Sequence, residues 1–112
     1  MADCFQVTTT LPDRAAADQM AARLVEEHLA ACAQVLGPVS STYFWKGKIE
    51  QAVEWYCNLK TTKARLAQLE ERIRELHPYQ VPEVIAIQIL DGNADYLKWI
   101  EEVVSGGPRK DR

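Results

Sequence analysis

Ile49-Glu50-Gln51-Ala52-Val53-Glu54-Trp55-Tyr56-Cys57-Asn58-Leu59-Lys60-Thr61, residues 49–61, is the stretch that decides the fold. Val53, Trp55, Cys57 and Leu59 alternate with Glu54, Tyr56, Asn58 and Lys60, the two-residue period of a strand with one apolar face. Just before it, Lys46-Gly47-Lys48 reads as a short turn, and residues 31–46 read as another long strand interrupted at Gly37-Pro38. A proline nitrogen cannot donate to a ladder, so Pro38 belongs at a bulge or on an edge. The two strands form a β-hairpin closed by a tight, Gly-containing turn.

Working outward, residues 4–10 are rich in β-branched types and alternate, which predicts a first strand. Pro12-Asp13 breaks it. Asp13 then caps a helix whose apolar face is Ala16, Ala17, Met20, Ala21, Leu24, Val25 and Leu29. Downstream of the hairpin, Thr61-Thr62 can cap a second helix with Leu66, Leu69, Ile73 and Leu76 on one face. Glu70 and Arg74 stand as a favourable i,i+4 pair on it, and Pro78 ends it. Residues 84–90, Val-Ile-Ala-Ile-Gln-Ile-Leu, are apolar at both parities and predict a strand buried on both faces. Asp91-Gly92-Asn93 is a turn, and residues 94–104 form a last helix with Tyr96, Leu97, Ile100, Val103 and Val104 inward. The polar residues 105–112 read as a flexible tail.

The order β-α-β-β-α-β plus a terminal helix is the ferredoxin-like split arrangement, an α+β class with an antiparallel sheet. Residues 1–104 form its one domain. Helices cover one sheet face, and the aromatic residues of the hairpin predict an apolar opposite face. Uncovered strand edges and apolar surface of this kind are completed by other copies of the chain.

Bulk composition narrows the function classes. The chain has 112 residues, 47% of them apolar, which is enough for one core and too apolar for disorder. Its formal net charge of −3 argues against general nucleic-acid binding, which needs excess Lys and Arg. Cys4, Cys32 and Cys57 are widely spaced, without a CxxC or Cys-His knuckle, so they read as small buried hydrophobes and free thiols of a reducing compartment. The N-terminus has no signal-peptide pattern and no run spans a membrane, so the expected location is the cytoplasm.

The densest polar segment is Leu76-His77-Pro78-Tyr79-Gln80-Val81-Pro82-Glu83. Two prolines stiffen a loop that holds an imidazole, a phenol and a carboxylate, which lowers the ordering cost of presenting them. Lys60-Thr61-Thr62 brings a cation to a helix N-terminus, a position that favours anions. Ser40 and Ser41 lack a nearby His and a GxSxG elbow, and the five glycines make no phosphate loop. His77 in the last helical turn also suits a capping role, His28 reads as solvent-facing, and Glu83 can pair with Lys60 across a boundary between copies. Tyr43, Trp45, Trp55, Tyr96 and Trp99 fit an interface better than a ligand stack.

These segments resemble the CutA divalent-cation tolerance family. The resemblance rests on Leu29-Ala30-Ala31-Cys32, Ser41-Thr42-Tyr43-Phe44-Trp45-Lys46-Gly47-Lys48, Leu59-Lys60-Thr61-Thr62, His77-Pro78-Tyr79-Gln80-Val81-Pro82-Glu83 and Asp95-Tyr96-Leu97-Lys98-Trp99, in the family's order. It implies a homotrimer with the long hairpin shared between subunits, no agreed enzymatic reaction, and a role in tolerance of divalent cations, with copper (Cu2+) binding in some members. Carried onto this chain, it implies a ligand cleft between subunits built from Lys60, His77, Tyr79 and Glu83, with His77 the metal ligand. Members proposed to bind copper offer a Cys late in the first strand and a His-His pair; here those positions read Thr9 and Leu76-His77. Copper prefers imidazole and thiolate, so the ligand set is thinned. Two rivals share the topology. A nitrogen-regulatory (PII-like) trimer would bind nucleotides between subunits by a long mobile loop, and an acylphosphatase-like hydrolase would need an anion cradle after the first strand, where this chain has Thr10-Leu11-Pro12-Asp13-Arg14.

Overall fold

The computed structural model describes residues 2–106. Its elements are β1 (Cys4–Leu11), α1 (Arg14–Glu26), β2 (Cys32–Trp45), β3 (Lys48–Thr62), α2 (Lys63–Leu76), β4 (Val84–Gln88) and α3 (Ala94–Val104). The strands form one sheet in the order β2-β3-β1-β4 with every pairing antiparallel, the ferredoxin-like topology expected from the element order.

The hairpin is longer than the rest of the sheet. β2 and β3 pair from Cys32↔Lys60 out to Trp45↔Lys48, whereas β1 meets β3 only between Trp55 and Thr62. Beyond Trp55 the two strands run on alone as an arm, and the molecule measures 45 × 26 × 23 Å. Lys46 and Gly47 form the two-residue turn, both at positive φ (52° and 79°), the backbone that matches hairpin twist. The register slips between Leu36 and Val39, so Pro38 sits at a bulge and on an edge strand together. Gly37 is required there by space: a Cβ would lie 2.8 Å from the Trp55 ring.

The main core is made where α1 and α2 cover β1 and the base of β3. Val7, Leu11, Cys57 and Leu59 from the sheet meet Ala17, Met20, Leu24, Leu69 and Ile73 from the helices. Asp13 caps α1 as its sequence predicts, its carboxylate accepting from the Ala16 amide at 2.8 Å. α1 stops at Glu26, and His28 turns the chain at φ 58°. Arg72 of α2 grips Glu27 with two hydrogen bonds of 2.9 and 3.0 Å and holds its carboxyl below the usual range. A second, smaller cluster packs Ile100, Val103 and Val104 of α3 against Cys4 and Ala31.

Several sequence expectations are corrected. β4 ends at Gln88 and is an exposed edge strand, not one buried on both faces. Ile85 and Ile87 stand open because they lie opposite Thr8 and Gln6, on the sheet face that no described helix covers, and because β4 is an edge strand. The sheet face opposite the helices is polar at its centre, where Thr8 bonds Asn58 at 2.7 Å and Lys60 bonds Gln34 at 2.9 Å. Apolar Leu36, Ile85 and Ile87 flank that polar row. Trp55 packs against the main core and Trp99 against the smaller cluster. Thr62 caps α2 by position only, its side chain making no cap bond, and the Lys63 amide goes to the Asp3 carbonyl at 2.9 Å. Arg74 pairs with Glu71 (2.7 Å), one residue nearer than Glu70, because a three-residue step also stacks on a helix face. His28 does not face solvent freely; its Nδ1 lies 3.0 Å from the Val103 carbonyl and ties the end of α1 to α3. Ser105 closes α3 through its amide and hydroxyl, while residues 107–112 of the expected tail lie outside the described residues.

Candidate functional site

The loop after α2 is pinned by its own imidazole. His77 Nε2 donates to the Thr10 carbonyl at 2.8 Å, and its Nδ1 accepts the Tyr79 amide at 3.1 Å. Both ring nitrogens are therefore in use, and the pair of bonds fixes the Nε2–H tautomer. Burial holds the imidazole below its ordinary pKa against the opposing pull of the Thr10 carbonyl and the Glu54 charge. The His77 and Tyr79 rings lie 4.9 Å apart. Pinned this way, the loop crosses the end of β1 and delivers the Tyr79 hydroxyl to Glu54 on β3, where it donates at 2.9 Å. Burial first, then this bond to a carboxylate, raises the phenol's pKa, so it stays a donor across the physiological range.

Around this contact lies a cleft of about 700 Å³ at the root of the hairpin arm. β2 supplies Ser40 to Trp45, β3 supplies Glu54 and Tyr56, and the loop supplies Tyr79 to Glu83. The only charged residues in the lining are Glu54 and Glu83. Glu54 is 7% exposed, and no ion pair among the described residues includes it. No group of three or more His, Cys, Asp or Glu side chains is placed to hold a metal among the described residues.

Of the four residues expected at the site, Tyr79 and Glu83 line the cleft and His77 braces it from behind. Within the single chain, Lys60 does not join them. It pairs with Gln6 and Cys32 at the other end of the sheet, six residues along β3 from Glu54, or about 20 Å at strand spacing. Thr9, where the resemblance leads to the expectation of a thiol in copper-binding members, is fully buried, and its hydroxyl has no hydrogen-bond partner among the described residues. Cys57 is its cross-strand neighbour, and burial drives that thiol up to about 12. Sequence reasoning missed Glu54. Its parity placed it among solvent-facing polar residues, and nothing local announces that a loop twenty-five residues later will cover it.

The family model of the CutA1 divalent ion tolerance protein matches residues 5–103, almost all of this fold, and includes both the hairpin and the His77–Glu83 loop. The chain belongs to the CutA1 family. Among curated relatives, the divalent-cation tolerance protein CutA of Citrobacter koseri is 43% identical over 94 residues, covering 84% of this chain and 82% of that protein. The CutA of Thermus thermophilus is 41% identical over 96 residues, covering 86% and 93%. Among solved structures, CutA from Xylella fastidiosa superposes with a TM-score of 0.89 at 38% identity, over 92% of this chain and 99% of that one. CutA1 from Oryza sativa reaches 0.90 at 33% identity, over 95% and 97%.

Proposed function

We propose that this CutA1 chain works as a non-enzymatic homotrimer in the response to divalent metal ions, and that it holds cations, copper among them, in clefts between copies. The observation that carries the reading is the charge of the cleft: two carboxylates, Glu54 and Glu83, and no Lys or Arg in its lining. Glu54 and Tyr56 stand on the sheet face away from the helices, where Leu36, Ile85 and Ile87 are exposed in the single chain, so a neighbouring copy packed on that face would roof the cleft. Lys60 enters such a cleft only from a neighbour, given its distance along the sheet. The relatives' names supply the biological setting, tolerance of divalent cations.

Sedimentation at low concentration, combined with calorimetric titration with Cu2+, tests this. A trimer that takes up the ion, with a weaker isotherm for His77→Ala and for Glu83→Gln, is the expected result. A stable monomer ends the assembly reading. Identical isotherms for wild type and His77→Ala remove His77 as a ligand.

A further inference from the structure

Glu54 is a carboxylate only 7% exposed, with a single described side-chain donor and no described cation paired with it. A carboxylate this buried is costly unless a positive group or several donors face it. Here one oxygen takes the Tyr79 hydroxyl, and the other takes no bond from any described residue. Thr9 Oγ1 is the sole described side-chain oxygen or nitrogen both shut from solvent and unpartnered, so the free oxygen of Glu54 opens onto the cleft.

We propose that the cleft binds a small organic ammonium ion, with Glu54 as its counter-ion and Tyr43, Tyr56 and Tyr79 as its walls. This rests on the cleft being the functional site and deepens that reading by naming a ligand class. Three phenol rings line the space around the one buried charge. Ring faces carry negative potential and attract weakly hydrated cations, best of all alkylammonium groups. The cleft's volume of about 700 Å³ falls in the range of small-molecule sites. Glu83 at the exposed rim adds a second negative charge that draws cations inward and repels phosphates and carboxylates.

Within one chain, no three His, Cys, Asp or Glu side chains among the described residues are placed together for a bare divalent ion, which would need donors from a neighbouring copy. Calcium or magnesium seeks six or more oxygens, and copper seeks imidazole or thiolate. The nearest imidazole, His77, spends both nitrogens on the backbone, and the thiol of Cys57 lies in the core. One deep carboxylate beside three phenol rings, with the hydroxyls of Ser40, Ser41 and Thr42 nearby, offers a counter-ion and apolar walls to a cation that brings its own apolar shell.

The full chain in its native assembly is titrated calorimetrically with tetramethylammonium chloride at constant ionic strength, and with tert-butanol as a neutral probe of similar size. The expected result is saturable binding of the ammonium near one per chain and none of the alcohol. Glu54→Gln keeps the shape and the Tyr79 bond, and should weaken binding about tenfold or more through loss of charge. Tyr43→Leu should weaken it roughly threefold through loss of a ring face. Sedimentation and thermal melting of both variants should match wild type, which separates binding from folding. Absence of saturation, equal uptake of the alcohol, or an unchanged isotherm for Glu54→Gln overturns the proposal. Uptake of Mn2+ that depends on Glu54, without uptake of the ammonium, overturns the ligand class and leaves the divalent-cation reading standing. If neither cation binds and the chain sediments as a monomer, both fail.

Discussion

The base and the tip of the β2–β3 hairpin are one continuous pair of strands with opposite fates. At the base, Cys57 and Leu59 of β3 are fully buried beneath α1 and α2. Toward the tip, Val53, Ile49 and Phe44 are as apolar and as strand-like, yet 62%, 67% and 76% exposed. The local sequence treats both ends alike. What differs is that β1 and the helices reach only as far as Trp55. A ladder of backbone hydrogen bonds holds the tip in shape, but side chains there have no second layer to pack on. The tip is therefore an apolar surface left open among the described residues, and the base is a finished core.

The sharpest way to break this contrast is to mutate both ends. Leu59→Ala should cost about 2–5 kcal/mol of folding stability, the usual range for a fully buried leucine. Chemical denaturation measures it. Phe44→Ser with Ile49→Ser should instead act on association, by roughly 2 kcal/mol or more if these side chains anchor the contact between copies. The readout is concentration dependence: the wild-type unfolding midpoint should rise with protein concentration, and that of the tip variant should stay flat. A flat wild-type midpoint would erase the distinction between the two ends.

The same boundary marks what the sequence could disclose. Element order, the sheet topology and the Asp13 cap are local signals, read from spacing and from one side chain at a helix start. The main core followed because helical and strand periods pointed the same residues inward. β4 misled because an unbroken apolar run reads as burial on both faces, whereas the strand lies at the sheet edge with Ile85 and Ile87 open. His77, Tyr79 and Glu83 were legible as a stiffened polar loop. Glu54 was not, since a carboxylate in an alternating strand looks solvated until the Tyr79 hydroxyl reaches across from another element. Lys60 was grouped with the loop by family resemblance, but strand geometry keeps the two ends of β3 apart within one chain.

The finished core has one flaw, and repairing it sharpens the comparison. Thr9 is fully enclosed, and its hydroxyl lacks a partner among the described residues. An unpaired buried hydroxyl has lost water without gaining a bond. Thr9→Val keeps the β-branched shape, so it should raise stability by about 1 kcal/mol, again measured by denaturation. A loss of stability would mean that the hydroxyl is satisfied in the assembled protein. The effect should not depend on protein concentration, since Thr9 belongs to the base.

His77 stands at the border between base and tip, and it should give the smallest effect, in the pH dependence. Its pKa is lowered in the fold, chiefly by burial, from the ordinary value of 6.5. Below 6.5 the unfolded chain binds a proton that the folded one resists, so the unfolded state gains as pH falls. The contribution of His77 is fully present above about pH 6.5 and declines as pH drops through that value toward the lower folded pKa. Protonation would also place a hydrogen on Nδ1, where the Tyr79 amide now donates, and so expel the loop from the arm root. Thermal melts from pH 7.5 to about 5.5 should therefore show a gentle fall in wild type that His77→Ala removes. Glu27 does not confuse this window: its carboxyl is held below its ordinary 4.5, so its contribution is lost only at more acidic pH. Cation binding in the cleft should follow the same curve, because the loop that carries Tyr79 to Glu54 is the part the imidazole releases. A binding profile flat across pH 5.5 to 7.5 would show that the loop keeps its place with the ring charged, and that the arm root is held by more than His77.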